Sequence, residues 1–213
     1  MKLPDLRDEI TETLEGRSAS ADSSLVSLRV PCGQPQARSS VGMRLSILLV
    51  FGLAGCASVL EPSSFAGRAP EMRPEVFFAG TTRSTGVLQN RAGRPTRHLR
   101  VEGTGAVLPD GSLRLEQSVV FDSEPARTRT WILRRVDDHR YVGSLTDAAG
   151  PVEAEAHGDL FHLRYPMKSP PGGEMEQWLY LQPDGRTLIN EATVRVFGVV
   201  AARLSERITH EGP

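Results

Sequence analysis

Five histidines, two cysteines and one closely spaced pair of glutamates are the residues of this sequence best suited to chemistry, and their spacing limits what each can do. The histidines are His98, His139, His157, His162 and His210. No two stand four apart, so none offers the paired imidazoles that a helical zinc site sets on one face. His157 and His162 flank a turn at Gly158 and can approach each other, but two imidazoles without a cysteine or third carboxylate fall short of a metal set. Hairpin surface histidines and no metal are expected. Glu153 and Glu155 stand two apart in a strand-like run and therefore share a face. Paired carboxylates can divide acid and base roles, yet a solvated strand face accounts for them equally well. Neither a Gly-x-Ser-x-Gly elbow nor a phosphate-binding loop occurs. The sequence is read as non-enzymatic, with no catalytic residues and no cofactor.

The cysteines tell a different story. Cys32 and Cys56 both precede any strand-like pattern, so a bridge between them would staple no core. Met43-Arg44 followed by the apolar run Leu45–Ala54 has the form of a secretion signal and is too short to cross a bilayer about 30 Å thick. Behind it, Leu53-Ala54-Gly55-Cys56 resembles the lipobox of bacterial lipoproteins, in which the cysteine sulfur receives a diacylglycerol and becomes the new N-terminus. Several acyl chains hold a protein stably on a membrane where one alone is marginal. The resemblance implies lipidation of Cys56 (a palmitate-type acyl anchor). Ala57, where retained lipoproteins carry aspartate, implies an outer-membrane lipoprotein facing the periplasm. The expected organisation is 1–42 as a disordered or mis-assigned upstream segment, 43–55 as the signal peptide, 56–73 as a lipidated linker and 74–213 as the folded domain.

A domain of that length can bury one sizeable core. The net charge of −1, with 24% charged and 39% hydrophobic residues, implies no nucleic-acid partner. Pro74–Phe78 reads as one helical turn opened by proline and ended before Gly80, with Phe77 and Phe78 plugging one end of the fold. Beyond it come short β-prone runs at 82–90, 96–106, 112–121, 127–136, 140–146, 151–157, 160–166, 175–182, 186–196 and 198–209. Pro109-Asp110-Gly111 and Pro183-Asp184-Gly185 carry tight-hairpin chemistry, with φ fixed at proline and positive at glycine. Short links and the lack of crossover helices exclude a parallel sheet. About ten sequential antiparallel strands escape exposed edges by closing on themselves. The expected fold is all-β: an antiparallel meander closed into a lipocalin-like barrel, with a β-sandwich as the alternative.

Such a barrel is filled by side chains or admits one small apolar ligand. Trp131, Trp178 and Tyr180 offer apolar surface with a polar handle, Arg135 shares the parity of Trp131 and could meet an anionic head group, and Asn190 lies in phase with Leu188, Ala192 and Val194. These five are the candidate ligand-binding residues. The competing assignment makes the aromatics core and turns Arg135 to water.

Gly86–Gly93, Thr130-Trp131-Ile132-Leu133, Tyr141-Val142-Gly143, Gln177–Leu181, Leu188-Ile189-Asn190 and Phe197-Gly198 together resemble, in order and spacing, the uncharacterised bacterial lipoprotein family known as domain of unknown function 3833, over roughly residues 74–210. Two positions depart from it: Gln177 stands where that family commonly has Asp, and Val196 where it often has Lys. The resemblance implies a lipid-anchored envelope β-domain and brings no activity with it. Two functions follow as expectations: a membrane-anchored lipoprotein whose barrel binds a lipid or small amphiphile, or a structural adaptor whose solid barrel meets a protein partner.

Overall fold

The fold grows from its hairpin turns. The computed structural model describes residues 60–212, so Cys32, Cys56, the apolar run and residues 1–42 lie outside the described residues. At Pro109-Asp110-Gly111 the Asp110 Oδ1 accepts hydrogen bonds from the Ser112 backbone N–H and hydroxyl, while Gly111 takes φ +82°. At Pro183-Asp184-Gly185 the Asp184 Oδ1 accepts from the N–H groups of Arg186 and Thr187, with Gly185 at φ +64°. A short polar side chain that satisfies the backbone two residues ahead, next to a glycine at positive φ, reverses the chain within a few residues.

These reversals join ten strands: β1 (Gly80–Asn90), β2 (Pro95–Val107), β3 (Leu113–Phe121), β4 (Arg127–Arg135), β5 (Arg140–Leu145), β6 (Val152–His157), β7 (Leu160–Pro166), β8 (Gly173–Leu181), β9 (Thr187–Val196) and β10 (Val199–Gly212). Each pairs antiparallel with its sequence neighbour, and β1 pairs with β10 from Thr81 opposite Gly212 to Asn90 opposite Ala202. The sheet is therefore a closed meander barrel, as the strand count and short links required, and the sandwich alternative is excluded. Closure leaves no edge strand for other chain segments to pair with. Alternation then sorts the faces: Leu113, Leu115 and Val119 of β3 are buried, while Arg114 and Glu116 are exposed. Apolar inside and charged outside is the arrangement of a water-facing barrel, the reverse of a membrane-spanning one.

One end is plugged. The single-turn helix α1 (Pro74–Phe77) starts on proline and delivers Phe77 and Phe78, both buried and packed edge-to-face at 5.0 Å, into the barrel mouth. Phe78 lies so close to β2 that a side chain at Gly105 would collide with its carbonyl oxygen. Upstream, the Ser/Pro/Gly-rich stretch is a strap on the outside of the barrel. Its 3-10 turn Pro62–Phe65 buries Phe65 against Tyr180 of β8 at 5.8 Å, and the Met72 N–H donates to the Gly158 carbonyl at 2.6 Å. Beneath the strap, Leu160 of β7 is fully buried although it shares the parity of the outward-facing His162 and Arg164. Strap, plug and strands all lie within residues 60–212 around one closed sheet, so a fragment that spans these residues carries the whole described core.

Candidate binding cavity

Inside the barrel, above the plug, is a cavity of about 40 Å³. Its floor is apolar: Phe78, Leu133, Phe161 and Ile208. Its upper wall is polar, formed by Gln117 of β3, Arg129 and Trp131 of β4, Gln177 of β8, Asn190 of β9 and Glu206 of β10. Strand parity turns them inward. Gln117, Trp131, Gln177, Asn190 and Glu206 each stand two residues from a buried apolar neighbour on their own strands, respectively Leu115, Leu133, Leu179, Leu188 and Ile208, and Arg129 stands two from Trp131.

Hydrogen bonds link these groups into two clusters, which the contact of Tyr165 with Trp131 joins into a belt. Gln117 Oε1 accepts from Trp131 Nε1 and from Arg129 Nε, both at 2.8 Å, and the Arg129 guanidinium lies 5.7 Å from the Trp131 ring centroid. Asn190 Nδ2 donates to Gln177 Oε1 and to Glu206 Oε2, both at 3.0 Å, while Ser84 Oγ donates to the other Glu206 oxygen. Gln177 Nε2 reaches the Tyr165 hydroxyl at 3.4 Å, and Tyr165 packs edge-to-face on Trp131 at 5.7 Å. Burial pushes the Tyr165 hydroxyl up to about 12, so it is a neutral donor and acceptor at all working pH.

Two features of the belt are unfinished. Asn190 is 1% exposed and its Oδ1 has no hydrogen-bond partner. Rotating the amide would not help, because the carbonyl oxygen would then face two acceptors, Gln177 Oε1 and Glu206 Oε2. Arg129 is half-buried and forms no ion pair among the described residues, whereas Arg97 and Arg127, near the same end of the barrel, are paired with Asp122 and Glu124 and with Glu124. The cavity thus combines a guanidinium without an ion-pair partner, an acceptor without a donor and room for about three waters, beside the Glu206 carboxylate.

Of the sequence candidates, Trp131 and Asn190 enter this cavity. Trp178 and Tyr180 do not: β8 turns Met175, Gln177, Leu179 and Leu181 inward, which sends the aromatics outside. Trp178 lies on His162 at 4.1 Å between centroids, and Tyr180 sits under Phe65 of the strap. Arg135 shares the parity of Trp131 but stands past the cavity, at the plugged end, where its guanidinium donates to the carbonyls of Asp137 and Asp138 in the β4–β5 turn. The same parity points to Arg129, at the other side of Trp131, which the sequence reading passed over together with Gln117 and Glu206. Gln177, one of the two departures from the family pattern, is a member of the belt, and Val196 joins the apolar side chains at the far end.

No histidine among the described residues lines this cavity, and His210 lies against Phe77 of the plug at 6.0 Å. His157 stacks on His139 at 4.4 Å and pairs with Glu155, while His162 meets Glu176 at 3.1 Å, so His157 and His162 do not converge. Burial lowers the His162 pKa below its ordinary value, against the opposing pull of Glu176. Burial by itself would raise Glu176, but hydrogen bonds from Arg164 and His162 outweigh it and hold the carboxyl below the usual range. Among the described residues no three His, Cys, Asp or Glu side chains gather as a metal set.

A family model described as "Protein of unknown function (DUF3833)" matches residues 50–209. The chain belongs to the DUF3833 family. The match reaches upstream of the barrel and takes in both the strap and the Leu53–Cys56 stretch. No curated protein matches this DUF3833 chain. Among solved structures, it is similar to an S-type phycobiliprotein lyase from Guillardia theta, with TM-score 0.52 and 12% identity over 67% of this chain and 94% of that one. It is also similar to a protein of unknown function from the DUF3598 family of Nostoc punctiforme, with TM-score 0.50 and 15% identity over 66% of this chain and 50% of that one. These likenesses establish the lipocalin-like barrel fold.

Proposed function

We propose that this DUF3833 protein is a lipid-anchored lipoprotein of the bacterial envelope, facing the periplasm from the outer membrane, whose barrel binds a small amphiphile rather than catalysing a reaction. The observation that carries the binding reading is the unpaired Arg129 guanidinium beside a buried polar cavity, a combination that a barrel used only as scaffold does not need. The lyase likeness supports a barrel fold in which ligands can be held. Anchoring rests on the lipobox-like Leu53-Ala54-Gly55-Cys56 behind a signal-like run, and is supported by a family match that includes that segment together with the barrel.

Native mass spectrometry of residues 57–213, purified without detergent and then incubated with envelope lipid extract, tests binding. A co-purifying or acquired amphiphile is expected, and a bare mass after incubation refutes it. Mass analysis of the mature protein tests the anchor, with an acylated Cys56 as the expected N-terminus and an intact Met1 on a membrane-free protein as the refuting result. The cavity volume favours a second reading, the solid-barrel adaptor, because about 40 Å³ is well below the several hundred Å³ of a typical small-molecule site. The same experiment separates the two.

A further inference from the structure

We infer that the barrel takes its ligand head first: an anionic head group that also carries a hydrogen-bond donor is held at mid-barrel by Arg129 and Asn190, and its apolar chain runs toward the end away from the plug. The inference rests on the amphiphile reading above and adds the class of ligand and its direction. The size of the cavity supports it. Room for about three waters suits a carboxylate with an adjacent hydroxyl, not an alkyl chain.

The chemistry of the walls supplies the two contacts. Arg129 holds its Nε on Gln117 and has no carboxylate partner among the described residues, leaving the Nη edge of its guanidinium, whose N–H fork matches carboxylate or phosphate oxygens. Glu206 is not that partner: no ion pair joins it to Arg129, and its two oxygens accept instead from Ser84 and from Asn190 Nδ2. Asn190 Oδ1 needs a donor, which a simple carboxylate lacks and a hydroxyl or amide N–H supplies.

The direction follows from the two ends. Phe77 and Phe78 close one. At the other, the apolar side chains do not form one packed core but two groups, one holding Leu88 with Met167 and Met175 and the other holding Phe121 on Leu99, with Leu204 touching both. Unbranched methionines re-pack around irregular shapes at low cost, so a chain can lie between the groups.

The test uses delipidated residues 57–213 and three probes of equal chain length, dodecanol, dodecanoate and 3-hydroxydodecanoate, titrated by fluorescence of Trp131 in a Trp178→Phe background. Dodecanoate is expected to bind at least about tenfold more tightly than dodecanol, and 3-hydroxydodecanoate about threefold or more tighter again. Arg129→Met is expected to bring dodecanoate and dodecanol to within about threefold of each other, while Arg135→Met, at the plugged end, leaves the preference intact. Equal binding of dodecanol and dodecanoate to the unsubstituted site, a preference that survives Arg129→Met, or no gain from the hydroxyl each overturns head-first binding, and the first and third need no substitution within the site. Failure of all three probes to bind instead removes the amphiphile reading itself.

Discussion

Asn190→Asp is the sharpest probe of the polar belt, because it is nearly isosteric and changes only which atoms can donate. In the native barrel Asn190 Nδ2 supplies hydrogens to Glu206 and to Gln177. A hydrogen bond to a charged group contributes about 1.5–3 kcal/mol and a neutral one about 0.5–1.5 kcal/mol, so losing both costs about 2–4.5 kcal/mol before any repulsion. The other oxygen is unpaired already and loses nothing. An ionised carboxylate introduced at position 190 would also face Glu206 at hydrogen-bond distance, and two carboxyl groups sharing a site cannot both stay charged. The folded-state pKa of the introduced carboxyl is therefore raised above its unfolded value of about 3.9. Between the two values the folded state binds more protons than the unfolded one, so stability falls as pH rises. Urea unfolding at pH 5 and pH 8 should show a deficit relative to the parent that is larger at pH 8, reaching about 2–4.5 kcal/mol. A variant as stable as the parent at pH 8, or a deficit independent of pH, would refute the placement of this amide between two acceptors.

Three further outcomes follow from packing and titration. Gly105→Ala sets a methyl group against the Phe78 carbonyl, a backbone atom that cannot swing aside. It should cost about 1–3 kcal/mol or more, read as a lowered urea midpoint. His162→Gln removes a buried imidazole whose pKa is depressed chiefly by burial. A depressed histidine favours the neutral form in the fold, so its contribution is present above the unfolded pKa of about 6.5 and is lost as pH falls through the folded value. The parent should therefore lose more stability than His162→Gln between pH 7.5 and the acid side of that window, and parallel unfolding curves would contradict the burial argument. Trp131 is inside and Trp178 outside, so Trp178→Phe should leave blue-shifted emission that acrylamide quenches poorly, and Trp131→Phe should leave the reverse. Equal quenching of the two variants would show the strand parity to be misassigned.

The meander was legible because each turn announces itself locally, as at Asp110-Gly111 and Asp184-Gly185, where one aspartate and one positive φ reverse the chain. Closure then followed from strand count. The side-chain directions of β8 were not legible, and the reason is physical. In Met175-Glu176-Gln177-Trp178-Leu179-Tyr180-Leu181 both faces carry apolar residues, so a period of two cannot choose between them. The outer face is apolar because Phe65 covers it, and the strap that brings Phe65 there hides in a Pro/Ser/Gly composition that reads as a linker. For β4 the parity was right and the position was wrong. Arg129 and Arg135 flank Trp131 on one face, and nothing local says which end of the strand lies beside the plug. Contacts of the plug with distant strands supply it, Phe78 against β2 and Glu75 on the Tyr141 hydroxyl of β5.

The belt itself bears on the choice between a container and a solid adaptor. A small barrel reaches its most stable form with its interior filled by apolar side chains. Replacing a buried charged or polar group and its partners by apolar residues of like shape is often neutral or stabilising by about 1–4 kcal/mol. This barrel instead places Glu206 at 7% exposure, Gln177 at 8% and Asn190 at 1% across its middle, with the Trp131 indole N–H on Gln117 and the Tyr165 hydroxyl on Gln177. Were stability the only demand, leucine at these positions would serve better. A belt kept at that cost, with one acceptor left unpaired and one cation left without a counter-ion, breaks the local rule where breaking it makes a site. The small volume argues less strongly in the other direction, since the methionines toward the far end of the barrel can move and the belt's chemistry cannot.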